Sequence, residues 1–90
     1  MKYKLKSYTV DAIQWNGINL EEIKYFMKEK FIEARINEET FQMIIKTIDE
    51  DKEIVEFKVG LSDYITKECN DNFYAFTKQD FEDTFEPVED

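Results

Sequence analysis

Clustered carboxylates are the side chains of this chain whose type and spacing could do chemistry. The acidic residues singled out lie in the C-terminal half: Asp49, Glu50, Asp51, Asp80, Glu82, Asp83 and Glu86. Carboxylates can bind hard divalent cations, or they can act in pairs as acid and base. The run from Asp49 to Glu53 lacks the alternation and the glycine of a calcium-binding loop. The sequence therefore predicts a solvated hairpin loop there, and no metal site.

The groups that usually carry catalysis are scarce. The sequence has no histidine, which removes the usual general base near neutral pH. Its single cysteine, Cys69, stands beside Glu68 and near Asp71, and negative neighbours make a thiol less nucleophilic. One cysteine cannot form an internal disulfide, and zinc lacks His and Cys ligands. We expect an inert Cys69, no cofactor and no enzymatic activity.

The charge is unevenly distributed along the 90 residues. Residues 1–45 carry seven Lys/Arg and seven Asp/Glu, whereas residues 46–90 carry five Lys and fourteen Asp/Glu, which accounts for the net charge of −9. A direct nucleic-acid ligand is disfavoured, because phosphate binding needs clustered Lys/Arg. A basic protein partner is permitted. No apolar run suits a membrane span or a signal peptide, so we expect one cytoplasmic domain over residues 1–90.

Two elements are predicted in the first third of the chain. A strand is expected over residues 2–15, and its apolar positions change phase at Ile13, which indicates a bulge or burial on both faces. The segment NLEEIKYFMKEK predicts an amphipathic helix. Asn19 is its expected N-cap, and Glu22 stands three residues later in the position of a capping box.

The rest of the chain favours strands joined by short turns. Strands are predicted over residues 31–36, 40–48, 53–59, 63–68 and 72–78. Asp80 is the expected cap of a short final turn, with Phe81 and Phe85 on one face packing under the sheet. The predicted fold is α+β: one amphipathic helix packed on a curved antiparallel sheet of about five to six strands, with a short C-terminal helix or turn.

Two further features leave alternatives open. Tyr64, Tyr74 and Phe76 could form aromatic contacts with a partner, provided that they converge on an exposed surface. Asp11 lies between apolar residues of the first strand. It sits either in water on an edge strand, or it is buried and paired with one of the lysines of KYKLK on a neighbouring strand.

Both ends of the chain carry motifs that resemble a family of short phage and prophage proteins from low-GC Gram-positive bacteria. The first motif, V-x-A-x-Q-W-x-G, is matched by Val10, Ala12, Gln14, Trp15 and Gly17. The second, G-D-Y/W-I followed by F-Y and F-x-x-x-Y/F, is matched by Asp63, Tyr64, Ile65, Phe73, Tyr74, Phe81 and Phe85. Ser62 replaces the glycine before Asp63, and Ala75-Phe76 replaces the Pro-Cys that often follows F-Y. The resemblance implies a phage origin and a shared fold, and it assigns no catalytic residue.

Three functions are compatible with these observations. The leading hypothesis is a phage accessory protein that inhibits a host defence or nucleic-acid-handling protein, in the manner of an anti-CRISPR or anti-restriction protein, by presenting carboxylates in place of DNA phosphates. The second is an oligomeric sponge for a nucleotide signal, which would need its basic residues to line a pocket: Lys2, Lys4, Lys6 and Arg35. The third is a virion or assembly component. Edge-to-edge homodimerisation is compatible with each of them.

Overall fold

The computed structural model describes residues 2–5, 8–68 and 72–87. These residues form eight strands and two α-helices, with a 3-10 turn after the first helix. In chain order the elements are β1 (Lys2–Leu5), β2 (Tyr8–Gln14), α1 (Leu20–Met27), the 3-10 turn (Lys28–Lys30), β3 (Phe31–Ile36), β4 (Met43–Ile48), β5 (Ile54–Val59), β6 (Tyr64–Lys67), β7 (Phe73–Phe76), α2 (Lys78–Thr84) and β8 (Glu86–Pro87).

The α+β class is confirmed, but the prediction of one curved sheet is wrong. The first sheet has the strand order β7-β6-β2-β1-β8, with β2 at its centre and β7 and β8 at its edges. Strands β3, β4 and β5 form a separate second sheet. The break lies at the turn Gly60–Asp63, because β6 pairs with β2 and not with β5. The meander of consecutive strands therefore ends at β5, because β2, from the beginning of the chain, pairs with β6 in place of β5.

The first sheet is covered on both faces. Successive residues of β2 contact different cores: Ala12 packs with the residues of α2, and Ile13 packs against the main core. Of the two alternatives left open by the change of phase, a bulge or burial on both faces, burial on both faces is therefore confirmed. The main core joins α1 and the second sheet to the first sheet through eight buried residues: Trp15, Ile23, Met27, Met43, Ile45, Val59, Ile65 and Phe73.

The second sheet turns one face to this core and the other to water. Residues of β4 alternate between buried and half-buried positions, as expected for a central strand with one solvated face. Two cross-strand ion pairs lie on the solvated face. Lys46 Nζ is 2.9 Å from Glu33 Oε1, and Arg35 Nη2 is 3.5 Å from Glu56 Oε2.

Two predictions for the N-terminal segment need correction. The strand expected over residues 2–15 is a hairpin of two strands, in which Tyr3 pairs with Val10. Asn19 occupies the N-cap position of α1, but its side chain makes no cap hydrogen bond. Instead its Oδ1 accepts from Asn16 N (2.9 Å), and its Nδ2 donates to Gln14 O (2.9 Å). The amide is used to fold the preceding loop, so the capping box does not form.

The predicted C-terminal helix is present, and its burial is confirmed. Phe81 and Phe85 are buried beneath it, four residues apart. The cap is Thr77 and not Asp80, since the Thr77 hydroxyl accepts a hydrogen bond from the backbone N–H of Asp80. Cys69 and the turn predicted at residues 70–71 lie outside the described residues. Among the residues described, no helix is long and apolar enough to cross a bilayer.

Candidate functional site

The two groups of acidic residues lie in different layers of the molecule. Asp49, Glu50 and Asp51 belong to the β4–β5 hairpin of the second sheet, which packs on one face of the first sheet. The acids of α2 lie over the opposite face of that sheet. The sequence placed them in one acidic half, but the fold separates them into two surfaces.

One carboxylate of the hairpin group, that of Asp49, forms hydrogen bonds within the loop. Asp49 Oδ1 accepts hydrogen bonds from the backbone N–H groups of Asp51 and Glu53, each at 2.9 Å. This Asx-type arrangement shapes the turn. Glu50 and Asp51 are exposed, so these two hairpin carboxylates face solvent.

The acidic ridge is defined here as Asp80, Glu82 and Asp83, the three exposed carboxylates of α2. Lys78 is the single basic residue of this helix, and its Nζ is 3.4 Å from Glu82 Oε1. Within the described part of the chain, neither Asp80 nor Asp83 has an ion-pair partner. The ridge therefore keeps an excess of negative charge at the surface. Glu86 is also exposed and follows α2 directly, in β8.

An aromatic seam holds α2 on the sheet; it consists of Tyr64, Phe76, Phe81 and Phe85. Tyr64 stacks on Phe81 with ring centroids 4.0 Å apart, and Phe81 stacks on Phe85 at 4.9 Å. Phe76 meets both phenylalanines edge to face. Two of the three predicted aromatic contact residues, Tyr64 and Phe76, are thus packed inside the seam. Tyr74 is exposed on β7 and is the one that remains available to a partner.

A cleft of about 580 Å³ lies between α1 and the first sheet. Its walls combine the apolar and aromatic side chains of Ile13, Tyr25 and Phe26 with charged groups. The charged lining comprises Asp11, Glu21, Glu22, Lys28 and Lys67. Among the described lining residues, three carboxylates against two ammonium groups make this a poor site for a phosphate.

Asp11 lies in this cleft on a central strand, so the edge-strand alternative is wrong. The residue is half-buried, and the sheet register places it opposite Lys67 on β6 and opposite Lys2 on β1. Lysine positions therefore flank Asp11 on both neighbouring strands, as the second alternative required.

Arg35, one of the basic residues required by the sponge alternative, does not line this cleft. Arg35 lies on the solvated face of the second sheet, where it pairs with Glu56. Lys2 and Lys4 belong to β1 of the first sheet, and Lys6 lies outside the described residues.

Trp15 connects three loops that are far apart in the sequence; we call this arrangement the Trp15 junction. The indole is fully buried, and its Nε1 donates to Phe41 O at 2.6 Å. The Trp15 backbone donates to Asp63 O (2.9 Å) and accepts from Ser62 N (2.8 Å). The β2–α1, β3–β4 and β5–β6 loops are thereby held together at one end of the molecule.

The residues of the two sequence motifs have structural roles. Gln14 adds to the junction through Nε2, which donates to Ser62 O at 3.0 Å. Asp63 Oδ2 accepts from Gly60 N at 2.7 Å and closes the β5–β6 turn. The other matched positions lie in the main core, beside α2 or on its sheet: Val10, Ala12, Tyr64, Ile65, Phe73, Phe81 and Phe85. Tyr74, which is also matched, is instead exposed.

Comparison with known proteins identifies no relative: no protein-family model, curated protein or solved structure matches this chain significantly. In the part of the chain that the structure describes, no three acidic or cysteine side chains converge in a way that could hold a metal ion.

The apolar surface beside the Trp15 junction escaped sequence reasoning. Ile18, Phe41 and Leu61 are exposed there, and they come from three different loops. Each is a single apolar residue in a polar segment, so no local pattern identifies it. The available signal was Asn16-Gly17 as a turn next to a tryptophan, which indicates a loop folded over a large side chain.

Proposed function

We propose that this chain is a non-enzymatic accessory protein of phage or prophage origin that binds and inhibits a host defence or nucleic-acid-handling protein. The acidic ridge on α2, together with Glu86, would occupy a Lys/Arg groove that normally receives nucleic-acid phosphates. The observation that carries the proposal is the rigid presentation of the ridge, because the aromatic seam fixes α2 while its carboxylates face water.

Rigid presentation matters because charge complementarity acts mainly on the rate and specificity of association. A fixed array of like charges steers a basic partner over several ångströms, and it avoids the entropy loss of ordering flexible side chains and loops on binding. The single lysine of α2 neutralises only one of the three ridge carboxylates. The net charge of −9 also attracts a basic partner at longer range.

The hairpin acids would form a second contact rather than an extension of the ridge. Glu50 and Asp51 are carried by the second sheet, away from the face that α2 covers. A partner that contacts both surfaces must therefore reach around the first sheet. Otherwise the hairpin charges serve solubility and protect the sheet edge.

The test is capture of the target from host lysate on immobilised protein at low and high salt. Three forms are compared: the natural chain, a ridge variant with Asp80, Glu82, Asp83 and Glu86 changed to lysine, and a control variant with Glu21, Glu22, Glu29 and Glu53 changed to lysine. Both variants change the net charge equally, and all eight side chains are exposed. We expect one basic nucleic-acid-handling protein that the natural chain and the control retain, and that high salt and the ridge variant release. Equal loss from both variants, or capture indifferent to salt, would overturn the proposal.

The nucleotide sponge remains the alternative, and the cleft beside α1 is the site it would use. Tyr25 and Phe26 could stack on a base, and Lys28 and Lys67 could contact a phosphate. The three carboxylates in the same cleft oppose phosphate binding. Co-purification of a nucleotide, detected by its ultraviolet absorbance and by native mass spectrometry, would favour the sponge over the inhibitor.

A further inference from the structure

An exposed apolar surface is built from the tips of the three loops that meet at the Trp15 junction. This loop-tip patch consists of Ile18, Phe41 and Leu61, which are 88%, 41% and 49% exposed. Gly17, which precedes Ile18 in the chain, lies between Phe41 and Leu61: a Cβ atom at this position would lie 3.2 Å from Leu61 Cδ1 and 3.7 Å from the Phe41 ring. Contiguous exposed apolar side chains on a small domain mark interaction surfaces more often than isolated ones do.

The backbone beneath the patch is strained and tightly held. Phe41 has φ +60°, a left-handed conformation that is an outlier for a bulky residue, and Ser62 and Gly17 also have positive φ. Such strain persists only where the surroundings enforce it, and it concentrates at functional surfaces. Here the Trp15 hydrogen bonds enforce it, together with the bond from Phe41 N to Asn37 O at 2.7 Å. The backbone of the three loop tips is therefore held in place before any partner arrives.

The charges around the patch indicate what kind of partner fits. The segments 16–19, 37–42 and 60–63 contain no lysine or arginine, and their charged residues are Glu38, Glu39 and Asp63. Glu38 and Glu39 are exposed in the same loop as Phe41. A second copy of the chain would bring these carboxylates, and two net charges of −9, against each other. A partner with apolar side chains flanked by lysine or arginine is complementary to both features.

We infer that the loop-tip patch is a docking surface for an amphipathic, basic segment of a partner protein. Ile18, Phe41 and Leu61 contact its apolar side chains, and Glu38 and Glu39 contact the flanking cations. This inference does not rest on the proposed function, because its residues and the acidic ridge belong to different surfaces. Preorganisation lets a small patch bind, since little loop entropy is lost on association.

The test uses a synthetic amphipathic peptide of leucine and lysine as the probe, with chemical-shift mapping on the full chain. A second peptide that has glutamate in place of every lysine is the charge control. We expect the lysine peptide to shift the amide signals of Gly17, Ile18, Phe41 and Leu61, and the glutamate peptide to shift none of them. Shifts confined to α2 or to the β4–β5 hairpin would overturn the inference.

Matched variants test whether peptide binding depends on the loop-tip patch itself or only on the general hydrophobicity and charge of the surface. Ile18→Ser should weaken binding about tenfold, the effect of losing one buried aliphatic side chain. Ile54→Ser removes the same side chain from β5, where it is 63% exposed, and should leave affinity unchanged. Phe41→Asn should also weaken binding without loss of stability, because asparagine tolerates the left-handed conformation.

Three results would contradict the inference. The first is equal affinity of the Ile18 and Ile54 variants for the lysine peptide. The second is loss of peptide binding in the lysine variant of the acidic ridge, which would place the peptide on α2. The third is an Ile18-dependent dimer in native mass spectrometry of the protein alone, which would make a second copy the occupant.

Discussion

The acidic ridge and the Trp15 junction present side chains to solvent by opposite means. The ridge is a short helix whose exposed residues are neighbours in sequence, and it rests on an aromatic seam that comes largely from the same segment. The junction joins loops that are 26 and 48 residues apart in the chain through a single buried indole and the hydrogen bonds around it. One surface is encoded locally, and the other exists only in the folded state.

The difference has consequences for stability and for recognition. A local helix can open without disturbing the main core, since α2 packs against one face of the first sheet only. The junction cannot open without exposing Trp15, which belongs to the main core. The ridge should therefore respond to changes as an independent unit, and the loop-tip patch as part of the whole domain.

The largest effect is expected from Trp15→Ala, which breaks the junction. Removing a fully buried tryptophan should lower the free energy of unfolding by about 3–5 kcal/mol, and the lost hydrogen bond to Phe41 O adds to this. Urea unfolding measures the loss, and hydrogen exchange should show segments 37–42 and 60–63 deprotected. Trp15→Phe is the milder control. Loops that kept their protection in Trp15→Ala would show that the indole does not hold them.

Phe81→Ala tests whether the ridge is a separate unit. The ring is buried and stacks on both Tyr64 and Phe85, so its loss should lower the free energy of unfolding by about 3 kcal/mol. We expect α2 to exchange its amide protons first, while β4 and β6 remain protected. Uniform loss of protection through the whole domain would remove the distinction between the two regions.

Gly17→Ala strains the backbone beside the loop-tip patch. Gly17 has φ +92°, and an alanine there should lower the free energy of unfolding by about 1–2 kcal/mol. The added methyl group would contact Leu61, which can move because its side chain is half-exposed. Thermal unfolding measures the effect, with Gly17→Asn as the control that tolerates positive φ. An alanine variant as stable as the natural chain would argue against backbone strain at this loop.

Thr77→Ala sharpens the description of the ridge as a capped local helix. The Thr77 hydroxyl accepts from Asp80 N at 3.2 Å, and losing this N-cap should lower the free energy of unfolding by about 1 kcal/mol. Thr77→Ser keeps the hydroxyl group and should restore most of the stability. Urea unfolding of the two variants decides the point, and equal midpoints would show that the cap contributes nothing.

The smallest effect is expected at Glu33, whose carboxylate is paired with Lys46, in contrast to Asp80 and Asp83 of the acidic ridge, which have no ion-pair partner among the described residues. The hydrogen bond and charge of Lys46 hold the pKa of Glu33 below its ordinary value. Because the folded pKa is lowered, this pair stabilises the fold above the unfolded pKa of Glu33, and the contribution is lost as pH falls through the folded pKa. Lys46→Gln should therefore flatten the dependence of stability on acid pH slightly. Unfolding curves across the acid range check the sign, and a steeper dependence in the variant would contradict it.

Local features of the fold could be predicted from the sequence. The second-sheet strands, the hairpin at Asp49–Lys52, the helix near Leu20 and the burial of Phe81 and Phe85 all follow from periodicity and turn residues close in the chain. The pairing of β6 with β2 could not be predicted, because no local pattern distinguishes β5 from β2 as its neighbour. Whether β6 pairs with β5 or with β2 determines whether the strands form one sheet or two.

The candidate site also has some features that could be predicted from the sequence and others that could not. The exposure of Glu82 and Asp83 follows from their positions between the core residues Phe81 and Phe85. The use of Tyr64 inside the aromatic seam, and of Asp49 as an acceptor within its own loop, depends on contacts formed only on folding. Thr77 rather than Asp80 became the cap because helix α2 starts two residues before Asp80.

The buried indole of the Trp15 junction is also an intrinsic fluorescent probe. Trp15 is the only tryptophan in the sequence, so intrinsic fluorescence excited at the indole band has a single source. That source lies directly beneath the loop-tip patch, hydrogen-bonded to the backbone of Phe41. Occupation of the patch should alter its emission, whereas binding confined to the acidic ridge should leave it nearly constant. A label-free titration can thus tell which of the two surfaces a partner has touched.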